Sequence, residues 1–204
     1  EWRAAARRWI AAPTKDQGAM MISLLLDGRP VHGAGGLPAP TVLADLRRHP
    51  ETIRVLLEAA LAPRARFRSV RELVARGPTR FDIKRHAILP VVNLARWAAL
   101  DVGSTALGTV DRLHAAAGSA MLPESRAGTL IEAFSVLQRL RLRYQLMQHA
   151  DGQRPSDEVT MEQMSAIDRS VIAQAVREIT AAQRRMANVS AYVATEEWAL
   201  PEPT

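Results

Sequence analysis

The chain contains no cysteine, so neither a disulfide nor a thiolate-bound metal can hold it together. Aromatic residues make up only 4% of it, and its β-branched runs are short, which argues against a core built from sheets. No stretch of eighteen apolar residues and no secretory leader pattern is present, so the expectation is a soluble, cytoplasmic protein without membrane contact. Position 1 is Glu rather than Met, as expected of a piece of a longer protein. Familiar catalytic patterns are missing too. The five histidines are scattered without a His-Glu-x-x-His pair, and there is no Gly-x-Ser-x-Gly elbow.

What the chain has is Ala, Leu and Arg, spread over 204 residues. That length suffices for a buried core, and the composition suits an all-α architecture, an antiparallel helical bundle. A formal charge of +6 and a pI near 10.8 point to an anionic partner. Eight basic residues, Arg64, Arg66, Arg68, Arg71, Arg76, Arg80, Lys84 and Arg85, stand against Glu72 and Asp82 in one short stretch. An acidic protein or nucleotide phosphates would satisfy such a cluster. Nucleic acid fits less well, because aromatic interleaving, zinc-finger spacing and a recognition helix are all missing.

Read in order, residues 1–10 predict a short helix with Trp2 and Trp9 on one stripe. Residues 20–26, MMISLLL, form a continuous apolar run before Asp27-Gly28-Arg29-Pro30; its length and flanking turn residues favour a buried strand, although a run this short also suits a helix. Residues 33–40, GAGGLPAP, read as a connector that lacks the Lys-Ser/Thr of a phosphate loop. Helices follow over 42–48, with Thr41 as cap, over 51–61 between Pro50 and Pro63, and over 70–76 up to Gly77-Pro78. Pro90 predicts a kink or a late start in the next helix, which runs to Leu100. Further helices are expected over 109–117 and 125–149. The last covers 160–188 after a loop at 151–157, with Thr160 and Gln163 as a capping box. Glu196-Glu197 and Trp198 fall in the tail.

Three groups of polar residues invite chemistry. In FDIKRHAILPVVNLARWAAL, Lys84 and Arg85 stand at the start of a helical run, where unpaired backbone N–H groups favour an anion, and Asn93 and Arg96 share a face three residues apart. A solvated basic helix start explains the same residues. Along residues 125–149, Leu130, Phe134, Leu137 and Tyr144 make a core stripe. Gln138, Arg141, Gln145 and Gln148 line a neighbouring face, joined by Arg139 and Arg143. These last form either a solvated face or a groove whose guanidinium forks suit phosphate or carboxylate. Asp27, at the end of the predicted strand, is either a turn former or one carboxylate of a cation site whose other ligands lie elsewhere.

The segments MMISLLLDGRPVHG, FDIKRHAILPVVNLAR and EAFSVLQRLRLRYQLMQ, in this order, resemble the C-terminal part of bacterial signal-transduction nucleotidyltransferases that carry CBS and cyclic-nucleotide-binding domains. More distantly they resemble PII uridylyltransferase and glutamine synthetase adenylyltransferase. The resemblance implies two parts: residues 1–37 as the end of a catalytic α/β domain, contributing one short helix and one strand, and residues 38–204 as a helical substrate-binding domain. It implies Asp27 as a catalytic, metal-binding carboxylate, followed by Arg29 as in the family's Asp-x-Arg-Pro pattern, although Gly28 replaces a usual large apolar residue. It further implies that Lys84 and Arg96 line the cleft between that catalytic domain and the bundle. Together with the reading of the residues themselves, this makes Arg29, Lys84, Arg85, Asn93 and Arg96 the candidates for nucleotide phosphate, and Gln138, Arg141 and Gln145 those for a substrate groove. The expected reaction is attack by an acceptor, protein or small molecule, on the α-phosphate of a nucleoside triphosphate. Mg2+ would be held by the upstream catalytic domain, and this chain alone would be inactive. The rival reading is a non-catalytic regulatory module that docks an acidic protein or the neighbouring CBS and cyclic-nucleotide-binding domains.

Overall fold

The structure is a computed structural model and describes residues 1–32, 38–46, 48–67 and 80–194. Among them are eight α-helices and one two-stranded ribbon: α1 (Trp2–Ala11), α2 (Gly18–Leu26), α3 (Pro38–Leu46), α4 (Pro50–Leu61), β1 (Arg80–Asp82), α5 (Leu89–Asp101), α6 (Thr109–Ala116), α7 (Glu124–Ala150), β2 (Glu158–Thr160) and α8 (Ala166–Ser190). The architecture is all-α. The connector at 33–37, the predicted 70–76 helix with Gly77-Pro78, and the tail with Glu196, Glu197 and Trp198 lie outside the described residues.

The run MMISLLL is helical, not extended, and forms most of α2. A strand needs neighbours for every backbone N–H and C=O, whereas a helix satisfies them within itself. The two described strands, three residues each, pair only with each other, so α2 has no sheet to join. The surrounding helices sort its uniformly apolar side chains. Ile22 and Leu26, one turn apart, are buried, while Met20 and Leu24 are 52% and 56% exposed. The turn leading into α2 holds Asp16 and Gln17 at φ 49° and 58°. Gly18 then packs so tightly that a Cβ there would sit 3.0 Å from the Pro13 backbone.

Helices α1 and α2 pack on each other and on α3, and α2 also packs on α4. Ile10, Ile22 and Leu26 belong to the same apolar cluster as Leu57, Trp97 and Leu137. The buried Thr52 hydroxyl donates to the Ile10 carbonyl at 2.7 Å, closing the end of α1 against the start of α4. Helix α3 begins at Pro38, so Thr41 lies inside it and does not cap it. Helix α4 starts at Pro50, where a missing N–H costs nothing.

Helix α5 is the central element, packed against α4 and α6, with Val91, Leu94, Ala95, Trp97 and Ala98 all buried. Pro90 is accommodated within its first turn. The chain ahead of it, Lys84–Ile88, winds as a single π turn in which the Leu89 N–H donates to the Lys84 carbonyl. Residues 62–67 lie beside that turn. Arg66 N–H donates to the His86 carbonyl at 3.2 Å, and Phe67 meets Phe81 edge-on at 5.0 Å. The buried Gln183 of α8 holds the same segment at both ends, accepting from Ala65 N–H at 3.2 Å and donating to the Pro63 carbonyl at 2.8 Å.

Helices α7 and α8 are antiparallel, because Arg126 pairs with Glu178 while Tyr144 and Arg143 pair with Asp168. The expected capping box at Thr160 and Gln163 forms reciprocal bonds of 3.0 and 3.4 Å, but it closes a turn ahead of the helix. The cap of α8 is Ser165, whose hydroxyl accepts from Asp168 N–H at 3.0 Å. Leu130, Leu137 and Tyr144 face the core as their spacing predicts, and Phe134 packs at its edge.

Candidate functional site

Asp27 sits directly after α2, where a carboxylate faces the unpaired carbonyls of a helix C-terminus and is disfavoured by the helix dipole. Two guanidinium groups offset this. Arg96 of α5 donates through Nε to both carboxylate oxygens, at 3.1 and 3.2 Å, and through Nη2 at 2.6 Å. Its Nη1 donates to Asn93 Oδ1 at 3.0 Å, one turn back on the same helix. Arg112 of α6 donates through Nη1 to Asp27 at 2.6 Å, through Nη2 to the Leu26 carbonyl at 2.9 Å and through Nε to the Ala106 carbonyl at 2.7 Å. Its side chain is only 4% exposed. The cluster therefore joins α2, α5 and α6 at one point. Burial works against the Asp27 charge, yet the hydrogen bonds and positive charge of Arg96 and Arg112 hold its carboxyl below the ordinary 3.8.

Beside this clamp lies a cleft of about 500 Å3 between α2, α4 and α5. Met20, Leu26, Leu56, Pro63, Leu89 and Trp97 give it apolar walls, and Ser23, Asn93 and Arg96 are its polar members. Asn93 and Arg96, which spacing alone put on one face, thus share both a hydrogen bond and a cavity. The clamp sets their orientation: Asp27 fixes the Arg96 fork, and Arg96 fixes the Asn93 amide.

Other candidate residues stand elsewhere. Arg29 is exposed beyond α2, and Lys84 and Arg85 are exposed on the π turn. The backbone N–H of Arg85 donates to Asp82 Oδ1 at 2.7 Å, so the position where an anion was expected already holds a carboxylate of the chain itself. On α7, Arg141 Nε and Gln145 Nε2 both donate to Asp157 Oδ1, at 2.5 and 2.9 Å. Gln148 spans the Ser156 N–H and the Glu158 carbonyl. Asp157 in turn accepts Ile83 N–H through its carbonyl at 3.0 Å. This polar row therefore anchors the segment leading into β2 and, through it, the turn that carries Lys84 and Arg85. Gln138 is half-buried on the same helix.

Arg112 escaped sequence reasoning, although a signal was there. It lies four residues before the buried Ala116 and next to the buried Leu113, so it falls on the apolar face of its helix. A charge in that position needs a partner. Asp27, expected at the end of a strand, follows a helix instead, and its oxygens accept from two arginines. Among the described residues no three His, Asp or Glu side chains are grouped to hold a metal ion. No described helix is long and apolar enough to cross a membrane.

An all-helical chain with an apolar cleft and a polar corner fits a binding domain, and comparison with known families agrees. Residues 50–189 match the family described as Putative nucleotidyltransferase substrate binding domain. The chain belongs to that family. The match takes in α4 to α8, hence Asn93, Arg96 and Arg112, and leaves out α1 to α3 with Asp27. No curated protein and no solved structure matches the chain.

Proposed function

We propose that the cleft between α2, α4 and α5 receives a substrate of nucleotidyl transfer, with Asn93 and Arg96 as the polar groups facing it. Lys84, Arg85 and the exposed Arg29 add positive charge for a substrate that carries anionic groups. In this reading the complete enzyme transfers a nucleotidyl group from a nucleoside triphosphate to an acceptor. Mg2+ would be held mainly by a catalytic part outside the described residues, among which no three His, Asp or Glu side chains are grouped. Asp27 acts as the anchor of Arg96 and Arg112. The observation that carries the reading is the clamped Asn93–Arg96 pair at the polar corner of an apolar cleft, inside the segment that matches a substrate-binding family.

The test is methyl NMR on the chain, following Met20, Ala59 and Leu89 while Mg-ATP, Mg-UTP and charged amphipathic peptides are added in turn. At least one of these probes should shift the cleft methyls, and Asn93→Ala should weaken it five- to tenfold, the worth of roughly one hydrogen bond. Cleft signals that stay fixed with every probe would refute the reading.

A further inference from the structure

The walls of the cleft say which substrate enters it. A triphosphate needs converging donors, but most of the lining is Met, Leu, Ala, Pro and Trp. The one guanidinium present, Arg96, is already turned onto Asp27 and Asn93. The apolar surface also continues past the cleft. Met20 lines it while half exposed, and Leu24, one turn further along α2, is exposed as well.

Charge is arranged differently, at one end. Pro63 and Leu89 both line the cleft. The exposed Arg66 follows Pro63 closely in the chain, and the exposed Lys84 and Arg85 lie one turn before Leu89. The bond from Arg66 N–H to the His86 carbonyl holds these two basic segments side by side. Among the described residues from 62 to 89 the only acid is Asp82, and its carboxylate caps the Arg85 N–H.

We infer that this surface docks an acidic amphipathic helix of a protein acceptor, its apolar stripe in the α2–α4–α5 cleft and its carboxylates against Arg66, Lys84 and Arg85. The inference rests on the cleft being a substrate site and names the substrate. An apolar stripe matches the walls, and Asp or Glu side chains beside it match the basic end. A basic helix of the same apolar pattern meets like charge and is rejected.

The experiment measures fluorescence polarisation of a labelled 18-residue helical peptide with Leu at a and d positions and Glu at most others. Two companions carry Lys for Glu or Ser for Leu. The Glu-Leu peptide should bind the chain with micromolar affinity that falls as salt is raised, and both companions should bind at least tenfold more weakly. Ala59→Trp fills the cleft from an exposed position, and Lys84→Glu with Arg85→Glu reverses the basic end. Each should cost about tenfold in affinity while circular dichroism and the melting temperature stay as in the parent. Equal binding of the Lys peptide, or binding indifferent to Ala59→Trp, would overturn the inference. If Mg-ATP or Mg-UTP shifts the cleft methyls and no peptide does, the cleft remains a substrate site but belongs to nucleotide. If no probe acts, both readings fall.

Discussion

Replacing Arg112 with Met keeps most of its volume and removes its charge. Three hydrogen bonds disappear with it, to Ala106, Leu26 and Asp27. Removing one partner of a buried ion pair costs about 3 to 5 kcal/mol. Two features lower that figure. The Asp27 side chain is 36% exposed, so water takes over part of its solvation, and Arg96 still faces it. Two carbonyls raise it again, because the last of α2 and that of Ala106 lose a buried charged donor. The net expectation is a loss of about 3 kcal/mol. Arg96→Met removes a guanidinium that is 18% exposed and contacts no main-chain carbonyl in the clamp, so about 1 to 2 kcal/mol is expected. Urea denaturation at pH 7 measures both, and a double-mutant cycle with Asp27→Asn isolates the pair energies. The pH dependence gives a second handle. The folded Asp27 carboxyl titrates below 3.8, so the stability it contributes is present above 3.8 and is lost as pH falls through the folded value. The penalty of Arg112→Met should therefore shrink on acidification. A loss under about 1 kcal/mol, or Arg96→Met costing more than Arg112→Met, would refute the clamp as the joint of α2, α5 and α6.

Asp101 at the end of α5 behaves in the opposite sense: burial pushes its carboxyl from 3.8 up to about 6. Its contribution to stability is complete below 3.8 and lost as pH rises through 6, so Asp101→Asn should gain about 2 kcal/mol at pH 8 and almost nothing at pH 4, read from urea midpoints at both. Gln183→Leu strands the Ala65 N–H and the Pro63 carbonyl, so it should cost about 2 kcal/mol and speed amide exchange at Ala65; unchanged exchange there would contradict the role given to that side chain. Incubated with labelled ATP or UTP and Mg2+, the chain alone should transfer no label, and sustained turnover would rule out a catalytic part elsewhere.

How much of this was legible in the sequence depended on whether the deciding partner was near in the chain. Helices α1, α4, α5, α6 and α7 were readable within a residue or two because Pro, Gly and apolar spacing act locally. The run MMISLLL favours a strand over the helix it forms, because nothing in seven apolar residues separates the two. The missing information was the surface of α3 and α4, which buries Ile22 and Leu26 and leaves Met20 and Leu24 outside. The Asp27 clamp joins residues 69 and 85 positions apart, and only folding puts them together. One half of it could still have been suspected, since Arg112 sits on the apolar face of α6. The polar row on α7 leaves its function open in the sequence, and the bonds of Arg141, Gln145 and Gln148 to residues 156–158 explain why these three recur every three or four residues: a helix that must hold a crossing loop has to present polar groups along one line. The same requirement links that row to the cleft. Asp157 also accepts the N–H of Ile83, so a change at Arg141 should loosen the turn carrying Lys84 and Arg85 while leaving the cleft walls intact. Arg141→Ala should then weaken binding of an acidic partner by about threefold through the basic end alone. An unaltered affinity would show that the α7 row and the basic turn act independently.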